Sequence, residues 1–422
     1  MEYEELVQDI FRRFPSVQKE GFKPGAYKPG LEGVRVFDRV LGYPSRAIKT
    51  IHVAGTNGKG SVANMLAAAL SSAGYRTGLY TSPHLVDFRE RCRIDGDMIP
   101  REYVHAFLEK WKPYFEAENL SFFEITTGLA FRWFADSKVD VAVIECGLGG
   151  RLDSTNIITP VLSIITSIGL DHCALLGNSL AEIAAEKAGI MKPGVPCVVG
   201  ETHPETAQVF IDAARGPLVF ADRVEPPLWE RHEEILKAMD LQAPVQRKNL
   251  RTVLCALDYF PGDSDKFIYG IEHTAALMHF HGRWERLKEK PLVIADIGHN
   301  AHALQSNFQA LEAMNRPLII VYGIMADKDL DSIIPLMPPK ARYIFVAPDT
   351  PRALPAEKIL QKVRDFSTAL EMTKDPLEMT EGFLEMKTAP SVKAGIKMAM
   401  EEATDDTVIY IGGSTFVVAE AL

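Results

Sequence analysis

Short, unbroken apolar runs rich in β-branched residues recur along the chain at Ile48 to Val53, Thr77 to Tyr80, Val139 to Ile144, Val161 to Thr166 and Val195 to Val199. Continuous rather than alternating apolarity is the pattern of strands covered on both faces, so these runs predict a parallel sheet between helices. Helical patterns fill the gaps, at Val62 to Leu70, Tyr103 to Tyr114, Thr127 to Phe134 and Leu180 to Ala188. Between residues 201 and 246 the pattern breaks up around Pro204, Gly216, Pro226, Pro227 and Pro244, and Asn249 to Tyr259 resumes as a helix. A second series then follows His281-Gly282-Arg283. Its strands are Leu292 to Asp296, Leu318 to Tyr322, Tyr343 to Val346 and Val408 to Ile411, separated by helices at Ala301 to Ala313, Ala356 to Phe366 and Ala394 to Glu402. The expectation is an α/β protein: an N-terminal parallel-sheet domain, residues 1–282, and a smaller C-terminal Rossmann-like α/β domain, residues 283–422.

Length and composition agree with two soluble domains: 422 residues, 47% apolar and 24% charged. No apolar run approaches the roughly 18 residues of a membrane span, and the acidic start Met1-Glu2-Tyr3-Glu4-Glu5 is unlike a signal peptide, so a cytoplasmic protein is expected. The cysteines Cys92, Cys146, Cys173, Cys197 and Cys255 lack CxxC spacing, which argues for reduced thiols. A net charge of −10 argues against a nucleic-acid surface and an anionic membrane surface, and requires any anionic ligand to be captured locally.

Such a local trap lies in Val53-Ala54-Gly55-Thr56-Asn57-Gly58-Lys59-Gly60-Ser61, between an apolar run and a helix. Glycines let backbone N–H groups close around phosphate oxygens, the helix start adds about half a positive charge, Lys59 reaches terminal phosphates and Ser61 can hold Mg2+. The loop departs from the usual Walker pattern, with Val53 five residues before Gly58 and Gly60 between Lys59 and Ser61.

Other candidates sit at strand ends. Glu145 closes the third apolar run, where open α/β sheets bind ligands; it reads as a metal ligand or as a helix-capping acid. Asp171-His172 and Ser82 occupy analogous positions after neighbouring runs. Lys187, near a helix end, reads as a solvated lysine on spacing alone. Asp296-Ile297-Gly298-His299-Asn300 ends the first run of the second domain, positioned to face the nucleotide across an interdomain cleft with Arg283 adding charge; the competing readings are a capping Asn300 and a surface arginine.

Taken together, these blocks resemble the folylpolyglutamate synthase and dihydrofolate synthase family of Mur-type ATP-dependent amino-acid ligases. The resemblance rests on the order of Ala54 to Ser61, Tyr80 to His84, Val143 to Asn156, Thr166 to His172, Glu186 to Ile190, Gly282-Arg283, Asp296 to Asn300, Gly323 to Asp329 and Thr350 to Pro355. It implies that Asn57, Gly58, Lys59, Gly60 and Ser61 bind ATP phosphates and that Asn249, Arg283, Asp296 and His299 serve the nucleotide site. It further implies that Ser61, Ser82, Glu145 and His172 hold Mg2+, one or two ions with K+ as an accessory, and that Lys187 carries a CO2-derived carbamate that converts a cation into an oxygen ligand. Lys59, Lys187 and His172 would be the catalytic group. Ser82, His84, Phe122, Phe123, Glu124, Leu152, Asp153 and Ser154 match pterin-binding segments, although Phe122 and Phe123 also read as core. Gly149-Gly150-Arg151-Leu152-Asp153 looks like the loop of bifunctional members.

The implied reaction is ATP-dependent attachment of L-glutamate to dihydropteroate and reduced folates through an acyl phosphate, by a monomer with no nucleic-acid or membrane partner. A monofunctional folylpolyglutamate synthase, a cell-wall Mur ligase or a P-loop switch protein are the alternatives; against the second, no extra N-terminal UDP-binding domain is expected, since only 47 residues precede the first run. His281, Gly298 and Ala301 depart from the residues usual at those places, and the 201–246 tract is short for the family.

Overall fold

A computed structural model describes residues 2–21, 28, 30–373 and 385–422. The chain divides into two compact units, Met1–Leu241 with Val245–Phe280, and Gln242–Pro244 with His281–Leu422.

The first unit contains β1 (Thr50–Ala54), β2 (Thr77–Tyr80), β3 (Cys92–Ile94), β4 (Asp97–Met98), β5 (Val141–Glu145), β6 (Leu162–Ile165), β7 (Cys197–Val199) and β8 (Leu218–Phe220). They form one sheet in the order β4-β3-β2-β5-β1-β6-β7-β8. The expected parallel sheet is correct from β2 to β8, but β3 and β4 add an antiparallel edge. Those two short strands carry charged residues and a turn, which hid them from a search for apolar runs.

β1 and β5 are buried along their whole length. Successive β5 side chains serve opposite cores: Val141 and Val143 join the cluster built by Met65, Leu66 and Leu250, while Ala142 and Ile144 join the aromatic cluster of Phe37, Phe115, Phe131 and Phe134. The helix Lys59–Ser72 is buried at every position from Gly60 to Leu70, and its alanines allow close approach to the sheet. The helix Phe122–Asp136 starts earlier than periodicity predicts because Ser121 and Glu124 form a capping box at its N-terminus.

The second unit contains β9 (Glu285–Glu289), β10 (Leu292–Asp296), β11 (Leu318–Tyr322), β12 (Arg342–Phe345), β13 (Glu385–Thr388) and β14 (Val408–Gly412), ordered β13-β12-β11-β14-β10-β9. Asp296 therefore ends the second strand of this unit, not the first: β9 precedes it, antiparallel to β10, charged and largely exposed. Charge on an unpaired edge protects it from further strand addition. The part of the expected Ala356 to Phe366 helix is present within Ala356–Thr373.

Candidate active site

In the first unit the strand register gathers the candidate residues at one sheet edge. β1 pairs with β5 so that Val53 lies opposite Glu145, and with β6 so that Ala54 lies opposite Ile165; Tyr80 of β2 lies opposite Ile144. The chain leaves all four strands on the same side, into Gly55, Thr81, Cys146 and Thr166, as parallel neighbours must, with Ser82 one residue further on.

The loop after β1 is held from below by the loop after β6. Thr56 N donates to Ser167 O (2.7 Å), Asn57 N to Ser167 Oγ (3.2 Å), and Thr166 Oγ1 to Asn57 O (2.6 Å). Thr56 and Gly169 bond each other twice, tying the segment that carries Asp171 and His172 to the phosphate loop. Gly58 has φ +84, and a Cβ there would lie 2.5 Å from Asn249 Oδ1, so only glycine fits. Asn249, from the helix Gln246–Leu257, is thus seated against the loop, and its Nδ2 donates to Gln246 Oε1 (2.8 Å). Gln246 was not a sequence candidate; its place one helical turn before Asn249 was the available signal.

Two lysines converge on one carbonyl. Lys59 Nζ donates to Gly55 O (3.0 Å) and Thr56 O (3.2 Å), and Lys187 Nζ donates to the same Gly55 O (3.0 Å). The solvated reading of Lys187 is incorrect: the residue is 3% exposed, because the helix Leu180–Ala188 turns its end beneath the loop. Burial, reinforced by the Lys59 charge, brings the Lys187 ammonium down to about 7.

Ser82 N donates to Glu145 Oε2 (3.0 Å), so two of the expected metal ligands meet directly. His172 sits in the left-handed region at φ 54, with its Nε2 3.7 Å from Asp171 Oδ2. Among the described residues no three His, Cys, Asp or Glu side chains form a ready-made metal cluster. The candidate set of Ser61, Ser82, Glu145, His172 and Lys187 is instead mostly oxygen or oxygen after modification, the chemistry that suits Mg2+.

The expected pterin residues divide by environment. Glu124 Oε2 is engaged by Ser121 N (2.7 Å) and Ser121 Oγ (2.8 Å) in the capping box. Asp153 is buried, with Oδ1 accepting from Thr155 N (3.0 Å) and Oδ2 from Leu148 N (2.8 Å), so its carboxylate clasps the 147–156 loop. Ser154 is buried beside it and Leu152 is partly exposed. Phe122 lies in the aromatic core, edge-on to Phe11 and Phe88, with the buried Arg91 guanidinium 5.1 Å from its ring centre. Phe123 is less covered and tilts against Tyr80. His84 Nδ1 accepts from Arg91 Nε (2.8 Å), and burial together with that cation holds the imidazole down to about 3, so it is neutral at physiological pH.

In the second unit Asp296 is 5% exposed and fully engaged: Oδ1 accepts from Gly298 N (2.8 Å) and Asn307 Nδ2 (2.7 Å), and Oδ2 from Trp284 N (2.9 Å). It fastens the turn that carries Arg283 to the loop that carries His299, assisted by Ile297 N donating to Gly282 O (3.0 Å). Asn300 caps the helix Ala301–Ala313 through Ala303 N (2.9 Å), as its alternative reading expected.

A glycine loop between a buried parallel strand and a helix, closed by Lys59 and accompanied by a second α/β unit, defines a phosphate-loop protein of the two-domain ligase class. The family model for the Mur ligase middle domain matches residues 53–199, and that for the Mur ligase glutamate ligase domain matches residues 282–415. The dihydrofolate synthase/folylpolyglutamate synthase of Bacillus subtilis is 34% identical over 355 residues, 77% of this chain and 83% of that one. A probable bifunctional folylpolyglutamate synthase/dihydropteroate synthase of Haloferax volcanii is 33% identical over 449 residues, 100% of this chain; the chain spans 50% of that longer protein. Among solved structures, Escherichia coli FolC in complex with DHPP and ADP superposes with a TM-score of 0.78 at 27% identity, covering 99% and 96% of the two chains. The Yersinia pestis bifunctional enzyme with AMPPNP and Mn gives 0.78 at 27%, covering 99% and 97%. The chain belongs to the Mur ligase family, in its folylpolyglutamate synthase/dihydrofolate synthase branch of ATP-dependent ligases.

Proposed function

We propose that this chain joins the amino group of L-glutamate to the carboxylate of dihydropteroate and to the terminal glutamyl carboxylate of reduced folates. ATP is split to ADP and phosphate in the process. The observation that carries this reading is the meeting of Lys59 and Lys187 on the Gly55 carbonyl, at the sheet edge that also holds the Ser82–Glu145 contact. The relatives' names and the nucleotide, Mn and DHPP in the similar structures support it.

A carboxylate repels nucleophiles and has no good leaving group. Transfer of the ATP γ-phosphoryl to a carboxylate oxygen makes an acyl phosphate; the glutamate amine then attacks the acyl carbon, the C–O bond to phosphate breaks, and the amine sheds a proton as the amide forms. The loop N–H groups and Lys59 would balance charge on the transferred phosphoryl, and Asn249 would border the nucleotide beside Gly58. Arg283, Asp296 and His299, all in the second unit, are assigned to nucleotide binding by their likeness to the family's residues. Mg2+, held by Ser61, Ser82, Glu145 and His172, supplies positive charge against the phosphate oxygens when bound.

Lys187 as it stands would repel a metal. With the ammonium brought down to about 7, a free amine is populated near neutral pH. That amine can add to CO2, giving a carbamate and a released proton, and the anion adds a ligand where a cation had been. K+ remains the accessory ion of this oxygen-rich site, and a monomer in the cytoplasm is the proposed working state.

Dihydropteroate labelled with 18O in its carboxylate tests the chemistry. One 18O should appear in the released phosphate for each amide formed. Phosphate free of label would contradict the acyl phosphate.

A further inference from the structure

Asn307, on the helix Ala301–Ala313, is 5% exposed, and its Nδ2 lies 2.7 Å from Asp296 Oδ1 and 3.2 Å from the Tyr410 hydroxyl of β14. Only the N–H face of that amide can meet a carboxylate oxygen at this distance, since the amide oxygen would oppose it. Asp296 Oδ1 also accepts from Gly298 N (2.8 Å). A Cβ on Gly298 would stand 2.9 Å from Asp296 Oδ1 and 3.1 Å from Asn307 Nδ2. A methyl there would crowd both the Asp296 carboxylate and the Asn307 amide.

We infer that Asn307 and Gly298 form a coupled pair, the bare Gly298 leaving room for the Asn307 amide on Asp296, which makes Asn307 a positioning residue that fixes Asp296, and through it the Arg283 turn and the His299 loop. This rests on the proposed assignment of Asp296, Arg283 and His299 to the nucleotide. The carboxylate is sealed from water and its orientation is set by three donors on three segments: Trp284 N from the turn, Gly298 N from the loop and Asn307 Nδ2 from the helix. Asn307 is the only one of the three that is a side chain, so it can be changed without altering the backbone.

The test uses the full-length protein and steady-state KM values for ATP and L-glutamate, with melting temperature read in parallel. Asn307→Asp keeps the shape but replaces the donor with an acceptor facing Asp296. It should raise the KM for ATP about tenfold and leave the KM for glutamate within twofold. Asn307→Ala should do the same in smaller measure. Gly298→Ala alone should raise the KM for ATP, and its effect should be smaller in the Asn307→Ala background, where the methyl still meets Asp296 Oδ1 but no longer Asn307 Nδ2. Asp296→Asn separates the two claims. If Asp296→Asn leaves the KM for ATP unchanged, the nucleotide assignment of Asp296 fails. If Asp296→Asn raises it while both Asn307 variants lower only the melting temperature, the positioning role fails and Asn307 is structural. Additive effects of Gly298→Ala and Asn307→Ala would overturn the coupling.

Discussion

Lys59 and Lys187 share an acceptor but carry different burdens, and each makes its own prediction. Lys59→Ala removes the side chain proposed to neutralise transferring charge, so kcat for ligation should fall about 10²- to 10³-fold with the circular dichroism spectrum unchanged. Undiminished turnover would remove Lys59 from the chemistry. Lys187 is visible in a stability profile. Its folded-state value of about 7 lies below the unfolded 10.5, so between those pH values the unfolded chain binds the extra proton and stability rises with pH. Below about 7 both states are protonated and this contribution is absent. Lys187→Met should flatten that segment of the urea-denaturation profile measured in CO2-free buffer; an unchanged slope would show that Lys187 does not titrate as a buried amine. The burial itself could not be read from the sequence. A lysine at a helix end is locally ordinary, and what buries it is a contact with Gly55, 132 residues away in the chain. Asp296 was legible as a strand-end acid, whereas its partner Asn307 was not, since an asparagine within a helix pattern carries no local signal.

At the scale of elements, the strands buried on both faces were the most legible feature, because a strand between two helical layers is mostly apolar on both of its faces. Thr77 to Tyr80, Leu292 to Asp296 and Leu318 to Tyr322 agree with β2, β10 and β11 at both ends. Edge strands escaped: β9 reads Glu-Arg-Leu-Lys-Glu, a pattern selected for solvent and for avoiding further pairing. The Ser121-Phe122-Phe123-Glu124 block shows how a motif can carry two meanings. Serine followed three residues later by glutamate is a capping box, and here it opens the helix Phe122–Asp136. Glu124→Ala should therefore cost about 1–2 kcal/mol of stability by leaving the Ser121 groups unpaired, without moving the KM for dihydropteroate. A large change in that KM at unaltered stability would restore Glu124 as a substrate contact.

At the scale of the molecule, the order of the sequence blocks was enough to place the chain in its family, and the matches at residues 53–199 and 282–415 fall on the two α/β series. The sheet topology explains why the order is so informative. Residues 55–61, 82, 145 and 172 lie at or just beyond the ends of four strands that neighbour one another in the sheet, parallel register brings those ends to one edge, and the helix Leu180–Ala188 adds Lys187 to them. Among the described residues no helix is long and apolar enough to cross a membrane. The central claim is ligation of glutamate to both pterin substrates. It is tested most directly by incubating the protein with ATP, Mg2+ and L-glutamate, offering dihydropteroate, tetrahydrofolate and a UDP-linked muramoyl substrate separately, and reading product masses beside phosphate release. The account predicts a gain of one glutamate residue on dihydropteroate and on tetrahydrofolate, and none on the UDP-linked substrate. A gain confined to the UDP-linked substrate, or phosphate release with no ligated product from any of the three, would contradict it.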